Sequence, residues 1–471
     1  NVQGDVTAGG NIEIKADSDN TYVDSGKGIV DSFMNSAIGI VNPMGANVMI
    51  LKNEANVTVG IDADITAGKA IDVQANAVLD ATLGEAVSGR KLIKKVPDAI
   101  PAASVGYADV ENNAAVTIEG RLTADGANSN ITDEDGNVVV KPAVNVSAYA
   151  EENLSNNVSL NLSSGMLGAG TSALAAAVAV SESSNNAEVN VNGVITADNG
   201  DANIKADTFN LLTANASTTA PDDSVGATAV NVITHNGEAN IAVNGDITAQ
   251  NVNIDATNYT DENTITANNA LGMGKFKANL MNAVNVNGIV GALKENPLVQ
   301  KITNKDGEET PADKPGLFKQ LSEKLAVSAA VVVADENNSA NVTFGKTADV
   351  TATNGSINAD ADVNIFDSHL YASGTANSYK KTESGTTDTV TVGAGVVYSG
   401  MENNASVVFA EGEAAAGDEN KTTLTAAKDI NITSSTKIEY HRPERIKRGI
   451  DRSIENLNYA IEAIKNLPEY I

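Results

Sequence analysis

Cysteine is absent from all 471 residues, so neither a disulfide nor a thiolate metal site can form. A chain that threads through a membrane unfolded gains from having nothing to cross-link on the way. Tryptophan is also absent, and aromatics make up only 4%. Compact domains fill a wide interior with large rings, whereas a narrow interior suits the Ala, Val and Ile that dominate here. Basic residues are scarce: 31 Lys and Arg stand against 60 Asp and Glu, a net charge of -29. This balance argues against nucleic acid as a partner, since phosphate binding requires concentrated Lys and Arg. It also disfavours anionic lipid and stable membrane insertion. The plain reading of the charge is a large surface kept soluble, and cation binding between acidic loops is the alternative. No apolar run reaches 18 residues and there is no signal peptide. Because Asn1 already lies inside a strand-like phrase, the chain reads as a segment of a longer protein. A missing export signal then says nothing about location.

What is present is repetition. The 42% hydrophobic fraction is ample for a buried core, and it is organised in a phrase that recurs six times. The copies are NEANVTVG from Asn53, NNAAVTIEG from Asn112, NNAEVNVNG from Asn185, GEANIAVNG from Gly237, NNSANVTFG from Asn337 and NNASVVFAEG from Asn403. Their marker alanines, Ala55, Ala114, Ala187, Ala239, Ala340 and Ala405, are separated by 59, 73, 52, 101 and 65 residues. The strand phrase holds its spacing while the loops between copies vary. Within the phrase Ala187, Val189 and Val191 face one way and Glu188, Asn190 and Asn192 the other, the period of an extended strand. A second phrase such as Asp64-Ile65-Thr66-Ala67 follows, and then a third such as Ile71-Asp72-Val73-Gln74-Ala75.

Short strands joined by Gly, Asn and Asp turns predict an all-β fold: a parallel β-helix (β-solenoid), with amphipathic helical insertions and a C-terminal helix. Asn is expected at the corners, stacked as a hydrogen-bonded ladder. With strands about 4.8 Å apart and on the order of 15 coils, the shaft would be roughly 70 Å long. A string of β-sandwiches is the alternative, disfavoured by the scarcity of aromatics. The expected organisation is a shaft over 1–437, with helical insertions near 27–45, 83–101 and 270–325. An amphipathic helix over 438–471 would serve as a cap or joint. The insertions rest on helical spacing, as in Ile29, Phe33, Ala37 and Val41, and in Phe276, Leu280 and Val284. The terminal helix rests on the stripe Ile446, Ile450, Ile454, Leu457, Ile461 and Ile464.

The search for chemistry leaves catalytic, cofactor-binding and metal residues all at none. His235, His369 and His441 fall in different units, and His235 reads as exposed in the turn THNGEA. No nucleophile-elbow phrase or His cluster is present. Gly393-Ala394-Gly395 and Gly272-Met273-Gly274-Lys275 lack nucleotide-loop spacing and read as tightly packed small residues. Asp133-Glu134-Asp135-Gly136-Asn137 lacks the late Gly and twelfth-position Glu of an EF-hand and reads as a hairpin turn.

The alternating phrases, Asn-rich turns, Gly-x-Ile-Thr-Ala steps, lack of Cys and acidic balance resemble large bacterial filamentous haemagglutinin-like adhesins, including leukotoxin-type filamentous adhesins. SVGATAVNVITHNGEANIAVNGDITAQNVNIDATN from Ser224 is similar to their repeat units. The resemblance covers most of residues 1 to 435. It implies a non-enzymatic protein, secreted or on the cell surface, exported through an outer-membrane partner and binding protein or glycan receptors on host cells or bacteria. The secretion domain usual in the two-partner type is not in this sequence, and no family site residues carry over. The leading expectation is therefore an adhesive shaft segment. The alternatives are a cytotoxic passenger that engages membranes through Gly28 to Met44, and a β-helix polysaccharide-active enzyme.

Overall fold

The computed structural model describes residues 1–24, 44–88, 99–132, 138–161, 172–220, 226–271, 325–366, 368–376, 390–410 and 421–439. Alternation of apolar and polar side chains makes these residues strand almost throughout. Three sheets result, and every pairing within them is parallel. Sheet A holds β3 (Met44–Val59), β6 (Ala99–Ile118), β11 (Ser172–Val191), β14 (Gly226–Val243), β18 (Leu325–Phe344) and β22 (Val390–Phe409). Sheet B holds the short strands β1 (Val6–Ala8), β4 (Asp64–Ala67), β7 (Arg121–Ala124), β12 (Val194–Ala197), β15 (Asp246–Ala249), β19 (Asp349–Ala352) and β23 (Thr423–Ala426). Sheet C holds β2 (Ile12–Asp24), β5 (Ile71–Ser88), β10 (Val144–Asn161), β13 (Ala202–Ala220), β16 (Val252–Thr260), β20 (Ile357–Phe366) and β24 (Ile430–Glu439). To it are added β17 (Thr264–Leu271) and β21 (His369–Ala376). A separate antiparallel hairpin, β8 (Ser129–Thr132) with β9 (Val138–Lys141), flanks 133–137, which lie outside the described residues.

The chain visits B, C and A in fixed rotation, so each strand lies beside its equivalent from the next unit. The six marker alanines form one unbroken row across sheet A. Ile65, Leu122, Ile195, Ile247, Val350 and Leu424 form another across sheet B.

This architecture corrects the expected parallel β-helix with helical insertions and a C-terminal helix. No helix occurs among the described residues, and the strands are not short rungs about a thin spine. Strands of sheet A run to 20 residues, each about 60 Å along its length at the usual rise per residue. Seven strands side by side in sheet B make a stack only about 30 Å tall. The result is broad parallel sheets stacked on one another, the pairing usual in α/β proteins but with no helix among the described residues. The error has a local cause. Asn53, Asn112 and Asn185 were read as corner residues, but they are buried in mid-strand.

Every described part of the expected helical segments is strand: Met44 and Gly45 begin β3, Leu83–Ser88 ends β5, Ala99–Pro101 begins β6, Ala270 and Leu271 end β17, Leu325 begins β18, and Ile438 and Glu439 end β24. The core of the 83–101 insertion, residues 89–98, lies outside the described residues, as do 25–43, 272–324 and 440–471.

Sheets A and C bury their facing sides, and a polar seam divides the interior in two. One compartment joins the ends of the sheet A strands (Ala55, Val57, Val59) to sheet B and to the starts of sheet C (Ile71, Val73, Ala75). The other joins the starts of the sheet A strands (Met49, Ala108, Val110) to the ends of sheet C (Leu79, Ala81, Leu83). Burying each large aliphatic side chain contributes about 1.5–3 kcal/mol.

Where sheet A turns into sheet B, glycines stack directly on one another. A Cβ on Gly245 would sit 1.9 Å from the carbonyl oxygen of Gly193, and one on Gly193 would sit 1.9 Å from that of Gly120. Rigid backbone cannot give way there. Gly9, by contrast, has nothing within 4 Å of the corresponding position. Urea unfolding should therefore show Gly245→Ala destabilised by about 2 kcal/mol or more. Gly9→Ala should stay within about 0.5 kcal/mol of the parent.

Candidate functional site

The seam between the two compartments is built from asparagines that point inward. Asn53 Nδ2 donates to Asn112 Oδ1 at 2.8 Å, and Asn112 Nδ2 to Asn185 Oδ1 at 2.8 Å. The same amides reach across to sheet C, where they donate to the carbonyls of Val78, Ala77 and Ala150. At the next position of the row stands Gly237, and the ladder detours. Asn185 Nδ2 donates to Asn210 Oδ1 on sheet C at 2.7 Å, and Asn210 Nδ2 to Asn258 Oδ1 at 3.0 Å. Asn258 Nδ2 donates to the Gly237 carbonyl at 2.6 Å. A side chain at Gly237 would collide with both amides, its Cβ falling 2.9 Å from each Nδ2. The row resumes on sheet A through Thr260 Oγ1 to Asn338 Oδ1 and Asn338 Nδ2 to Asn403 Oδ1. A second ladder lies on the outer face of sheet C, with the donors reversed: Asn431 donates to Asn358, Asn358 to Asn253 and Asn253 to Asn203.

Beside the detour lie the buried ionisable groups. Ser183, His235 and Glu336 are neighbours on β11, β14 and β18, and Glu152 on β10 sits beside Asn210. Ser183 Oγ and His235 Nδ1 are 2.7 Å apart, and Asn263 Nδ2 donates to Glu336 Oε2 at 3.2 Å. His235 Nε2 and Glu336 Oε1 are enclosed without a hydrogen-bond partner, and the enclosed Glu152 carboxyl has only the Ser183 hydroxyl to turn to. Burial pushes Glu152 up to about 8, with the Ser183 hydroxyl opposing it. It pushes Glu336 up to about 7, against Asn263 and with Asp335 adding to the rise. Burial pushes His235 down to about 4.

His235, expected to be exposed, is 1% accessible. The residue types of a nucleophilic triad stand side by side, but they are closed inside an apolar interior and offer no surface to a substrate. Sequence reasoning passed over Glu152, Ser183 and Glu336. The signal was parity: Val144, Val146, Ala148 and Ala150 point inward, and Glu152 takes the next inward place.

His369 lies on β21 beside Thr264, its backbone N–H donating to the Asn263 carbonyl at 2.6 Å, and His441 lies outside the described residues. Gly393-Ala394-Gly395 is in strand β22, where a Cβ on Gly395 would sit 2.3 Å from the Ala372 carbonyl. Small size is what that position requires. Gly272–Lys275 and Asp133–Asn137 lie outside the described residues. Among the described residues no group of three or more His, Asp and Glu could hold a metal ion.

The outer face of sheet C carries the densest exposed chemistry. Phe209 and Tyr259 stack with centroids 5.4 Å apart and planes at 16°, and Tyr259 meets Phe366 at 5.9 Å. Lys437 Nζ lies 5.9 Å from the Phe366 centroid. Two residues earlier in the register than Phe209 and Tyr259 come Asp207 and Asp362, and two earlier again come Asp255 and Asp360, with Lys205 Nζ 3.2 Å from Asp255 Oδ2. Burial pushes Asp207 up to about 6 against the pull of Lys205, with Asp255 adding a smaller push upward. Burial raises Asp360 as well, helped by Asp255 and Asp362. Tyr259 is raised by burial, then by Asp261, Glu439 and Glu262. All three rings are half-buried.

Comparison with known proteins finds no matching family, no matching curated protein and no matching solved structure.

The buried acids set a pH dependence. Above their unfolded value near 4.5, Glu152 and Glu336 keep protons that the unfolded chain releases, so stability falls as pH rises through about 7 and about 8. His235 acts in the opposite sense only below pH 6.5, where the unfolded chain binds a proton that the folded chain refuses. Between pH 6.5 and 8 the carboxyls act alone and should remove about 2 kcal/mol. Urea unfolding across that range should show this loss, and Glu152→Gln should flatten most of it.

Proposed function

We propose that this chain is a non-catalytic segment of a large secreted or surface-exposed bacterial adhesin, presenting broad binding faces to receptors on host cells or other bacteria. The reading is carried by one observation: equivalent residues of successive units align in continuous rows across each sheet. Rows turn a repeated phrase into a repeated surface. Each added unit extends the outward faces without altering the interior, which suits a protein whose task is to display surface. The reactive residue types, Ser183, His235, Glu152 and Glu336, are meanwhile enclosed and serve the interior. The similarity of the repeated phrases to filamentous haemagglutinin-like adhesins supports the same reading, and export through an outer-membrane partner belongs to it. Extension comes from the number of units in the parent protein, since the units described here make a stack shorter than its own strands.

Beads coated with the folded chain should be retained on epithelial cells or on a bacterial lawn several-fold above albumin-coated beads. Retention equal to albumin on both would remove the adhesin reading. The same preparation should release no reducing sugar from a panel of polysaccharides, and sustained release would put an enzyme in its place.

A further inference from the structure

We propose that the outer face of sheet C around Phe209, Tyr259 and Phe366 is a docking surface for a cationic segment of a partner protein, one bearing Lys or Arg side chains. The inference rests on the reading of this chain as a binding segment and names the chemistry that one face would recognise.

Three observations carry it. Phe209 and Tyr259 are in register on β13 and β16, and Phe366, two residues beyond Tyr259's partner Asn364 on β20, continues the line, with centroids 5.4 and 5.9 Å apart and every ring half-buried. Side chains on one side of an extended peptide recur about every 6.7 Å, close enough to that spacing for successive cations to meet successive rings. Next, carboxylates lie to both sides of the row: Asp207 and Asp362 nearest on one side with Asp255 and Asp360 two residues farther along, and Asp261, Glu262 and Glu439 on the other. Against them stand Lys205, already held by Asp255, and Lys437. An unpaired excess of negative charge surrounds an aromatic surface, and an ammonium or guanidinium satisfies both at once.

The third observation is that the chain already does this to itself. The Lys437 ammonium sits 5.9 Å from the centre of Phe366 while its carboxylate partner, Glu439, holds it from the same strand. The end of the row is thus filled by a cation of the kind proposed, and Phe209 and Tyr259 continue the surface with no cation over them among the described residues. A neutral sugar would also stack on rings, but it would leave the flanking carboxylates repelling one another. A cationic segment relieves that repulsion.

The test is fluorescence anisotropy of labelled octalysine and octaarginine peptides on the full chain at low and moderate salt. Phe209→Leu and Tyr259→Leu keep apolar bulk and remove the rings, and each should weaken binding about fivefold. Asp255→Asn with Asp360→Asn should weaken it further and reduce its salt dependence. Asp64→Asn with Glu188→Gln takes the same charge from other exposed faces and should change little, with circular dichroism confirming that every variant folds. Equal losses from the near and remote acid pairs would show a general polyanion and overturn the inference. Indifference to ring removal would overturn it too, as would displacement of the peptide by a neutral oligosaccharide. Coated-bead adhesion separates this idea from the one it rests on. Ring-dependent peptide binding without adhesion supports the docking surface and sinks the adhesin reading. Adhesion with ring-independent peptide binding does the reverse.

Discussion

A row of carboxamides threaded through an aliphatic interior decides how these sheets sit on one another. Val, Ile and Ala provide the driving force for burial, but they are interchangeable, and a parallel stack of alternating strands could slip along its length at small cost in apolar contact. An amide is not so tolerant. Asn53, Asn112 and Asn185 each donate both to the next amide and to a carbonyl of the opposite sheet. A slip by one residue would turn all of them outward and leave the carbonyls of sheet C unmatched. The hydrogen bonds therefore contribute specificity, while the hydrocarbon contributes most of the free energy.

The detour at Gly237 shows how much variation this scheme absorbs. Losing one Asn from the row leaves a gap that a backbone cannot fill, and two asparagines of the facing sheet move the ladder across the interior and back. The accommodation brings Ser183, His235, Glu336 and Glu152 into one neighbourhood, where the dry surroundings hold the carboxyls protonated and the imidazole neutral. Buried polar groups of this kind are costly if half satisfied, and several oxygens here have no partner. The irregular unit is where the interior leaves buried polar atoms unmatched, and the regular ladders lie on either side of it.

Much of this was legible from residue types alone. Strict alternation marked the strands, and the recurring phrase marked the residues that would come side by side, down to the single row of alanines. The shape was not legible, because Asn is a turn former by habit and the phrase opens with it; only the continuing parity on both sides of Asn112 reveals one long strand in place of two short ones. His235 was misjudged for the same reason, its neighbours Asn236 and Gly237 being turn residues that here lie within β14. Glu152 could have been caught as a carboxylate at an inward position. The aromatic row on sheet C could not. Phe209, Tyr259 and Phe366 lie in separate units joined by connections of unequal length; the register pairs the first two but sets Tyr259 against Asn364, and only the folded sheet brings the Phe366 ring to the stack.

The two asparagine ladders hand their protons in opposite senses, the buried one toward later units and the solvent-facing one toward earlier units. Each amide is a small dipole, and a long file of them pointing one way would build up potential with every repeat. Opposed files offset part of that growth, and the outward pairs on sheet A, Asn186 to Asn113 and Asn341 to Asn240, run with the solvent-facing file. Water screens the outer amides and not the buried ones, so the larger number of outward dipoles is set against fewer but stronger inward ones as repeats are joined.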